Sequence, residues 1–443
     1  MIKKLLIANR GEIAVRVIRA CKEMGIETVA VYSSADKESL HVKMADSAVC
    51  VGPPAASRSY LVKENLIQAA LKTGCEALHP GVGFLSESAD FARAVTESGL
   101  IFIGPHYDVI ALLGDKVKAR KTAKHFGLPI TPGTENAVSG VQEALKALET
   151  LPLPVIIKAA GGGGGKGMRI VRHKNEIAEN LEIAIREAEA NFADGRVFIE
   201  RYIENPRHVE LQILSDGNGK VVVLGERDCS VQRNHQKLIE ESPSPAVSDD
   251  MRFVMKEGAL AMFRELKYQG AGTIEFLVEN DQFYFMEVNA RVQVEHPVSE
   301  FVSNTDIIRE QILACTSGKM DIDSENITLS GAAIECRINA LSPGKITRLE
   351  TPGGPGVRFD SFLYNGCFVP PYYDSMVAKL IVYSATRDRA IARMKRALDE
   401  LCIEGIKTNR EEQISIINHP VFRSGKFGTS FIKDEIESKN GGQ

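Results

Sequence analysis

Met286-Glu287-Val288-Asn289-Ala290-Arg291-Val292-Gln293-Val294-Glu295 alternates apolar and polar side chains without a break. A period of two sustained over that length describes a half-buried strand with one apolar face. Upstream, Gly272-Thr273-Ile274-Glu275-Phe276-Leu277-Val278 reads as a second strand, and Asn280-Asp281-Gln282 between them is short enough to close a hairpin. With that three-residue loop, Glu275 falls opposite Glu287 and Thr273 opposite Asn289. Two carboxylates opposed at about 5 Å repel by about 3 kcal/mol at an effective dielectric of about 20, so a cation is expected between them. Glu275, Glu287 and Asn289 offer oxygen donors with no thiol nearby, which suits Mg²⁺ or Mn²⁺, and Mg²⁺ in such sites usually carries substrate phosphates. The same strand face is expected to continue through Arg291, Gln293 and Glu295, so that one ribbon presents metal ligands, a cation and a candidate base. The competing reading is an edge hairpin with a solvated charged face.

The totals narrow the class. A chain of 443 residues is long for one core, so two or three domains are expected. The balance of 54 basic against 58 acidic residues, net charge −4, gives no sign of a nucleic-acid or membrane partner. Eight scattered cysteines form no Cys-x-x-Cys and have no paired histidine spacing. Reduced thiols in a cytoplasmic protein are therefore expected, without a zinc site or a disulfide framework. The apolar run after Met1 stops at Ala8, too short for a signal or a membrane span.

Residues 1–103 alternate strands and helices: Leu5–Ala8, Thr28–Tyr32, Ala48–Val51, Glu76–Leu78 and Leu100–Ile103 are strands of an open, mostly parallel sheet. The first strand-to-helix turn is Asn9-Arg10-Gly11-Glu12 and lacks GxGxxG, which argues against a dinucleotide domain. The glycines of His79-Pro80-Gly81-Val82-Gly83-Phe84 fit a ligand loop or a plain tight turn equally well. A helical connector, 104–130, carries Lys116, Lys118, Arg120 and Lys121, ordinarily a solvated face.

Residues 131–203 read as a small α+β unit. The strand Pro154–Lys158 ends in a lysine that shares its face with Ile156; then come the glycines 161–165, Lys166-Gly167, and a second strand, Met168–Val171. The Walker A pattern fails twice, at Ala160 and Gly167. What remains is a flexible flap whose bare N–H groups can close on phosphates. From 204 to 443 a larger unit is expected. His208 to Ile213 alternates, with His208 and Glu210 opposite the apolar face, and Glu226 to Pro243 reads as an aperiodic polar loop holding Gln232, His235 and Lys237. Beyond the hairpin, Arg337 sits on the polar face of another strand, Arg387 to Leu401 reads as a final amphipathic helix, and 438–443 as a frayed tail.

Three stretches together resemble the biotin carboxylases: Lys158-Ala-Ala-Gly161 through Met168, Glu226-Arg227-Asp228-Cys229-Ser230-Val231-Gln232-Arg233, and Phe285 through His296. Asn9–Ala14 and Tyr372-Tyr373-Asp374-Ser375-Met376 fit as well, so the resemblance spans essentially the whole chain. It implies the ATP-grasp fold: an N-terminal open α/β domain, a glycine-flap lid, and a C-terminal domain, with ATP held between the last two. By resemblance, Lys116 and Lys158 contact phosphate or adenine, Gly164 and Gly165 close over the phosphates, and Glu200, Arg201, Tyr202 and Ile203 frame the adenine. His208, Gln232 and His235 belong to the same nucleotide set. Glu275, Glu287 and Asn289 match the Mg²⁺ (or Mn²⁺) ligands that the hairpin register gives independently. Lys237, Arg291, Gln293, Val294 and Glu295 resemble the bicarbonate site, and Arg337 faces both bicarbonate and biotin. Val82 stands where many relatives carry tyrosine.

The implied activity is ATP-dependent carboxylation of biotin by bicarbonate through carboxyphosphate, with Glu295 as base and Arg291, Lys237 and Arg337 as the other catalytic groups. No Met-Lys-Met acceptor motif occurs, so biotin is expected on a separate biotin carboxyl carrier protein, with separate carboxyltransferase subunits and a homodimeric enzyme. Acetyl-CoA carboxylase, and with it fatty acid synthesis, is the expected setting; a pyruvate or other acyl-CoA carboxylase, or another ATP-grasp ligase, is the alternative. A nucleotide-binding regulatory subunit would be expected to lack a metal carboxylate or the base, and Glu275, Glu287 and Glu295 are all present.

Overall fold

The computed structural model describes residues 2–134, 136–138, 140–159, 168–192, 194–322 and 327–438. The N-terminal strands β1 (Lys4–Ile7), β2 (Glu27–Ser33), β3 (Ser47–Gly52), β4 (Ala77–His79) and β5 (Ile101–Phe102) form one parallel sheet in the order β3-β2-β1-β4-β5. Its central strands carry aliphatic side chains on both faces; Leu5, Leu6, Ile7, Val29, Ala30 and Val31 are fully buried. That is the pattern of a parallel sheet covered by helices on each side, and it agrees with the sequence reading. Helices Tyr107–Gly114 and Lys116–His125 make the connector.

The small unit is an antiparallel sheet with β6 (Val155–Ala159) between β7 (Met168–Val171) and β8 (Val197–Arg201), backed by the helices Val141–Ala147 and Ile177–Phe192. The glycine run, including Gly164 and Gly165, lies outside the described residues.

The large sheet has eight strands. β9 (Arg207–Asp216), β10 (Val221–Arg233), β11 (Gln236–Ser242), β12 (Gln269–Glu279), β13 (Gln282–Asn289) and β14 (Ala332–Asn339) run β13-β12-β9-β10-β11-β14, followed by Met376–Ser384 and Val357–Ser361. Its pairings are antiparallel.

Four expectations are corrected here. The β12–β13 loop has two residues, Asn280 and Asp281, at φ 48° and 59°, a turn with both central residues left-handed. A bulge between Glu275 and Phe276 leaves Met286 as an extra residue, and the shorter loop and the bulge cancel, so Glu275 still pairs with Glu287 and Thr273 with Asn289. The strand ends at Asn289 and does not reach Glu295. The backbone N–H of Ala290 donates to Glu87 Oε1 at 3.0 Å, and Arg291, Gln293 and Glu295 lie on a bend leading into the helix His296–Ser303.

The polar stretch 226–243 is not a loop. It is the β10–β11 hairpin, turned at Asn234 and His235, both at positive φ. Its charges are buried because neighbouring elements supply opposite partners, Arg252 for Glu226, Glu210 for Arg227, Arg207 for Asp228, Arg337 for Glu240 and Arg387 for Glu241, so no apolar alternation betrays the strands. Finally, the helix Arg387–Glu400 is not the last element: helices Arg410–Asn418 and Pro420–Ser424 and a π-helix, Ile432–Glu437, follow. Of the expected tail, residues 439–443 lie outside the described residues.

Candidate active site

A cleft of about 1360 Å³ lies between the small unit and the large sheet, with the N-terminal domain contributing Arg10, Gly83 and Phe84 to its wall. Its floor is the polar face of β9 to β14. Residues on one face of a strand recur every second position, and here successive strands deliver His208 and Glu210, Arg227, Lys237, Glu275, and Arg337 to the same side.

Lys237 is the hub. Its ammonium is 2.6 Å from Glu295 Oε1, 2.8 Å from Glu210 Oε2 and 3.2 Å from Glu275 Oε1. Arg337 grips the other oxygen of Glu295 at 3.0 Å and donates through Nε to Glu240 Oε1 at 2.6 Å. Behind them Arg227, fully buried, donates to Glu210 Oε1 at 2.5 Å, Gln212 Oε1 at 2.6 Å, Ser299 Oγ at 2.9 Å and Thr273 Oγ1 at 3.2 Å. Burial alone would raise the pKa of Glu295, but Lys237, Arg337 and Arg227 outweigh it and hold the carboxyl well below its usual range. Glu275 is likewise lowered against burial by Lys237 and His208. His208 gives the reciprocal effect: burial pulls it down, yet Glu275, 2.8 Å away, leaves it raised. His235 has no carboxylate partner among the described residues, and burial, with His208 nearby, lowers it.

Arg291 is set by three groups on its own side of the cleft: Glu87 Oε2 at 2.9 Å, Asn289 Oδ1 at 3.0 Å and Gln293 Oε1 at 3.0 Å. At the nucleotide end, Lys158 Nζ is 2.5 Å from Glu200 Oε2, and Arg120 pairs with the other oxygen of that carboxylate. The lysine on the apolar face of β6 thus has a carboxylate on the neighbouring strand as its partner. Arg201, Tyr202, Ile203, Gln232 and Val294 line the same cleft, and Lys116 Nζ lies 3.6 Å from Glu287 Oε2.

The expected site residues in the described part of the chain therefore converge. Glu295 alone lies below the surface of the cleft, fully buried.

The donor set suits a hard cation. Glu275 Oε1 accepts from Asn289 Nδ2 at 2.8 Å, Gln293 Nε2 at 3.2 Å and Lys237 at 3.2 Å, so several donors already crowd the oxygen where positive charge is expected. Glu287 is only part-buried on the facing strand, and Asn289 follows two residues on with a carbonyl oxygen of its own. These oxygens fit Mg²⁺ or Mn²⁺. The ligand-type clusters found among the described residues, His208–Glu210–Glu275 and Glu210–Cys229–Glu295, are both served by the Lys237 ammonium.

Sequence reasoning missed Glu87, Arg120, Glu210, Arg227 and Glu240. Glu210 shares a strand face with His208, and Arg120 follows Lys116 by one helical turn, so both carried a spacing signal. Glu87 lies in a loop and carried none.

A family model described as biotin carboxylase, N-terminal domain, matches residues 1–110; one described as carbamoyl-phosphate synthase L chain, ATP binding domain, matches 115–321; and the biotin carboxylase C-terminal domain matches 335–434. Biotin carboxylase 1 of Bacillus subtilis is 51% identical over 443 residues, covering 98% of each chain. A crystal structure of a biotin carboxylase–beta-gamma-ATP complex from Campylobacter jejuni shares the fold at a TM-score of 0.95 and 44% identity, covering 98% of this chain and 99% of that one. The biotin carboxylase domain dimer of Hydrogenobacter thermophilus 2-oxoglutarate carboxylase, solved with MgADP, ADP and bicarbonate, gives a TM-score of 0.93 at 43% identity over 98% of this chain and 97% of that one. With family models matching in order along the sequence, a half-identical relative of equal length and the ATP-grasp fold shared end to end, this chain belongs to the biotin carboxylase family of ligases.

Proposed function

We propose that the chain carboxylates biotin with bicarbonate at the expense of ATP, releasing ADP and phosphate, and that the Lys237–Glu295–Arg337 cluster is its bicarbonate centre. The observation that carries this reading is a buried carboxylate, Glu295, held between two cations at the base of a cleft that also has a nucleotide end.

The nucleotide would lie between Lys116, Lys158 and the Glu200–Ile203 segment, with His208, Gln232 and His235 beneath it; Gly164 and Gly165, outside the described residues, remain its phosphate contacts by the family resemblance alone. When bound, Mg²⁺ supplies charge neutralisation to the phosphates, and Glu275, Glu287 and Asn289 are the residues to hold it. Bicarbonate would be held by Arg291, the Val294 backbone and Gln293, where its oxygen can attack the γ-phosphorus to give carboxyphosphate. Glu295 takes the bicarbonate proton. It is a weak base while Lys237 and Arg337 sit on both of its oxygens. Phosphate oxygens arriving at Lys237 would draw the ammonium away and raise the proton affinity of Glu295 when the substrate is in place. Carboxyphosphate then yields CO₂ and phosphate; the phosphate removes the ureido proton of biotin, and Arg337 balances the resulting enolate-like charge.

By the same reading biotin arrives on a separate biotin carboxyl carrier protein, carboxyltransferase subunits complete the reaction, and the chain works as a homodimer in the cytoplasm. None of the described helices is long and apolar enough to cross a membrane. Acetyl-CoA is the proposed acceptor, making malonyl-CoA for fatty acid synthesis; the likeness to a 2-oxoglutarate carboxylase domain keeps a 2-oxo acid as the second reading. The test is ¹⁸O-labelled bicarbonate with Mg-ATP and free biotin. One label per turnover in the released phosphate is expected; unlabelled phosphate would overturn the carboxyphosphate route.

A further inference from the structure

Lys379 is fully buried and lies outside the cleft lining, on the strand Met376–Ser384. It is the direct cross-strand partner of Arg337. Two cations opposite one another on adjacent strands repel, and burying a lysine costs several kcal/mol on the order of its desolvation, so the arrangement requires compensation. Its partners show where that compensation comes from. Arg337 holds the side chain of Glu295, and Lys379 Nζ donates to the backbone carbonyl of Val294 at 2.6 Å. The paired cations therefore grip adjacent residues of one turn.

Side-chain contacts already hold the ends of this turn: Lys237 grips Glu295, and Gln293 accepts from Arg291 and donates to Glu275. The strand has ended at Asn289, and Glu295 stands at the N-cap of the helix His296–Ser303 without using its side chain as a cap. Its backbone is held besides by Arg291, which donates to the Val292 carbonyl at 3.3 Å, by His296 Nδ1, 2.8 Å from the Gln293 carbonyl, and by the helix's own first turn. A carbonyl held from behind fixes the peptide plane on its C-terminal side, so the Glu295 N–H is aimed with it, and the direction in which the Val294–Glu295 segment faces the cleft is set. The second partner of Lys379 is Glu12 of the N-terminal domain, at 3.3 Å and itself buried. Glu12 opens the helix Gly11–Glu23, directly after Arg10 and Gly11 in the cleft wall. Asp360, directly opposite Lys379 on the neighbouring strand Val357–Ser361, adds its field to the ammonium.

We propose that Lys379 is a positioning residue for the carboxylation reaction: it clamps the Val294 carbonyl, sets the geometry of the bicarbonate-binding turn, and ties that turn to the N-terminal domain through Glu12. The proposal rests on the biotin carboxylase reading above. It assigns Lys379 no contact with substrate and no proton transfer. The consequence is selective. Loss of the ammonium should loosen the bicarbonate turn while leaving the nucleotide end, built from other strands and the small unit, as it was.

The test is ADP release by Lys379→Met and Glu12→Gln, each titrated separately with bicarbonate and with Mg-ATP, beside the unaltered enzyme and with melting temperatures recorded. For Lys379→Met the KM for bicarbonate should rise about tenfold or more, with the KM for ATP within twofold. Glu12→Gln keeps the lysine and removes its counter-charge, so a smaller shift of the same kind, about two- to fivefold, is expected. An unchanged bicarbonate KM in both variants, or equal losses for bicarbonate and ATP, would overturn the proposal. Should Lys379→Met fail to fold, Glu12→Gln decides the matter by the same criterion. An unaltered enzyme whose ADP release ignores bicarbonate would instead bring down the carboxylase reading itself.

Discussion

Two sheets in this molecule bury different materials: the first is apolar on both faces, the second apolar on one face and charged on the other. The N-terminal parallel sheet is packed with leucine, isoleucine, valine and alanine, and its enclosed histidines, His41 and His79, are neutral. The eight-stranded sheet bears Glu210, Arg227, Glu240, Glu335 and Lys379 and adjoins Glu295 of the following turn, each with no exposed surface. Apolar burial stabilises a fold outright, whereas burial of ion pairs is near neutral or costly for stability. A fold that needed only stability would make both sheets like the first. On the proposed function, the charged face of the second is a concentration of field that serves phosphoryl and carboxyl transfer.

The sharpest way to break the contrast is to convert the second sheet toward the first. Arg227→Met leaves Glu210 without its 2.5 Å partner and should destabilise the protein by about 3–5 kcal/mol in denaturant melts. Adding Glu210→Leu should recover most of that loss, and the double variant should remain inactive. Recovery of activity along with stability would show the pair to be structural only. By comparison, Leu6→Ala in the first sheet should cost about 2–5 kcal/mol with no charged partner to restore it, because the loss is a cavity.

The histidines give a smaller effect with a definite sign. Burial lowers His41 and His79 to about 4 in the folded protein, from about 6.5 when unfolded. Between those values the unfolded chain binds more protons, so their contribution is fully present above about pH 6.5 and is lost as pH falls toward 4, on the order of 3 kcal/mol for each. His41→Gln should flatten the acid limb of a stability profile. Glu335 lies in the other sheet with the opposite sign: burial raises its pKa well above the usual range, so stability falls as pH rises through the folded value. Glu335→Gln should lessen that loss.

The apolar sheet was legible in the sequence because alternating βα segments with aliphatic strands have few other solutions. The charged sheet was legible only in part. The Glu275–Glu287 register could be read because period-two alternation leaves little freedom, although a two-residue turn and a bulge produce it where a three-residue loop was expected. The β10–β11 hairpin could not be read as strands, because Arg227, Asp228 and Ser230 point into a polar interior and polar residues in a row look like loop. Lys237 and Arg337 were identified by resemblance, while their meeting at Glu295 is a tertiary fact that no local spacing encodes. The smallest test addresses the turn. Asp281 sits at φ 59°, so Asp281→Gly should stabilise by less than about 1 kcal/mol and leave turnover unchanged.

The most direct measurement is ADP release from Mg-ATP with and without bicarbonate and biotin, comparing the enzyme with Glu295→Gln. The account predicts release that requires bicarbonate, rises with biotin, and falls by about 100-fold or more in the variant while nucleotide affinity is retained. Release that ignores bicarbonate, or that survives the loss of Glu295, would contradict the claim that the charged face of the sheet is the carboxylation centre.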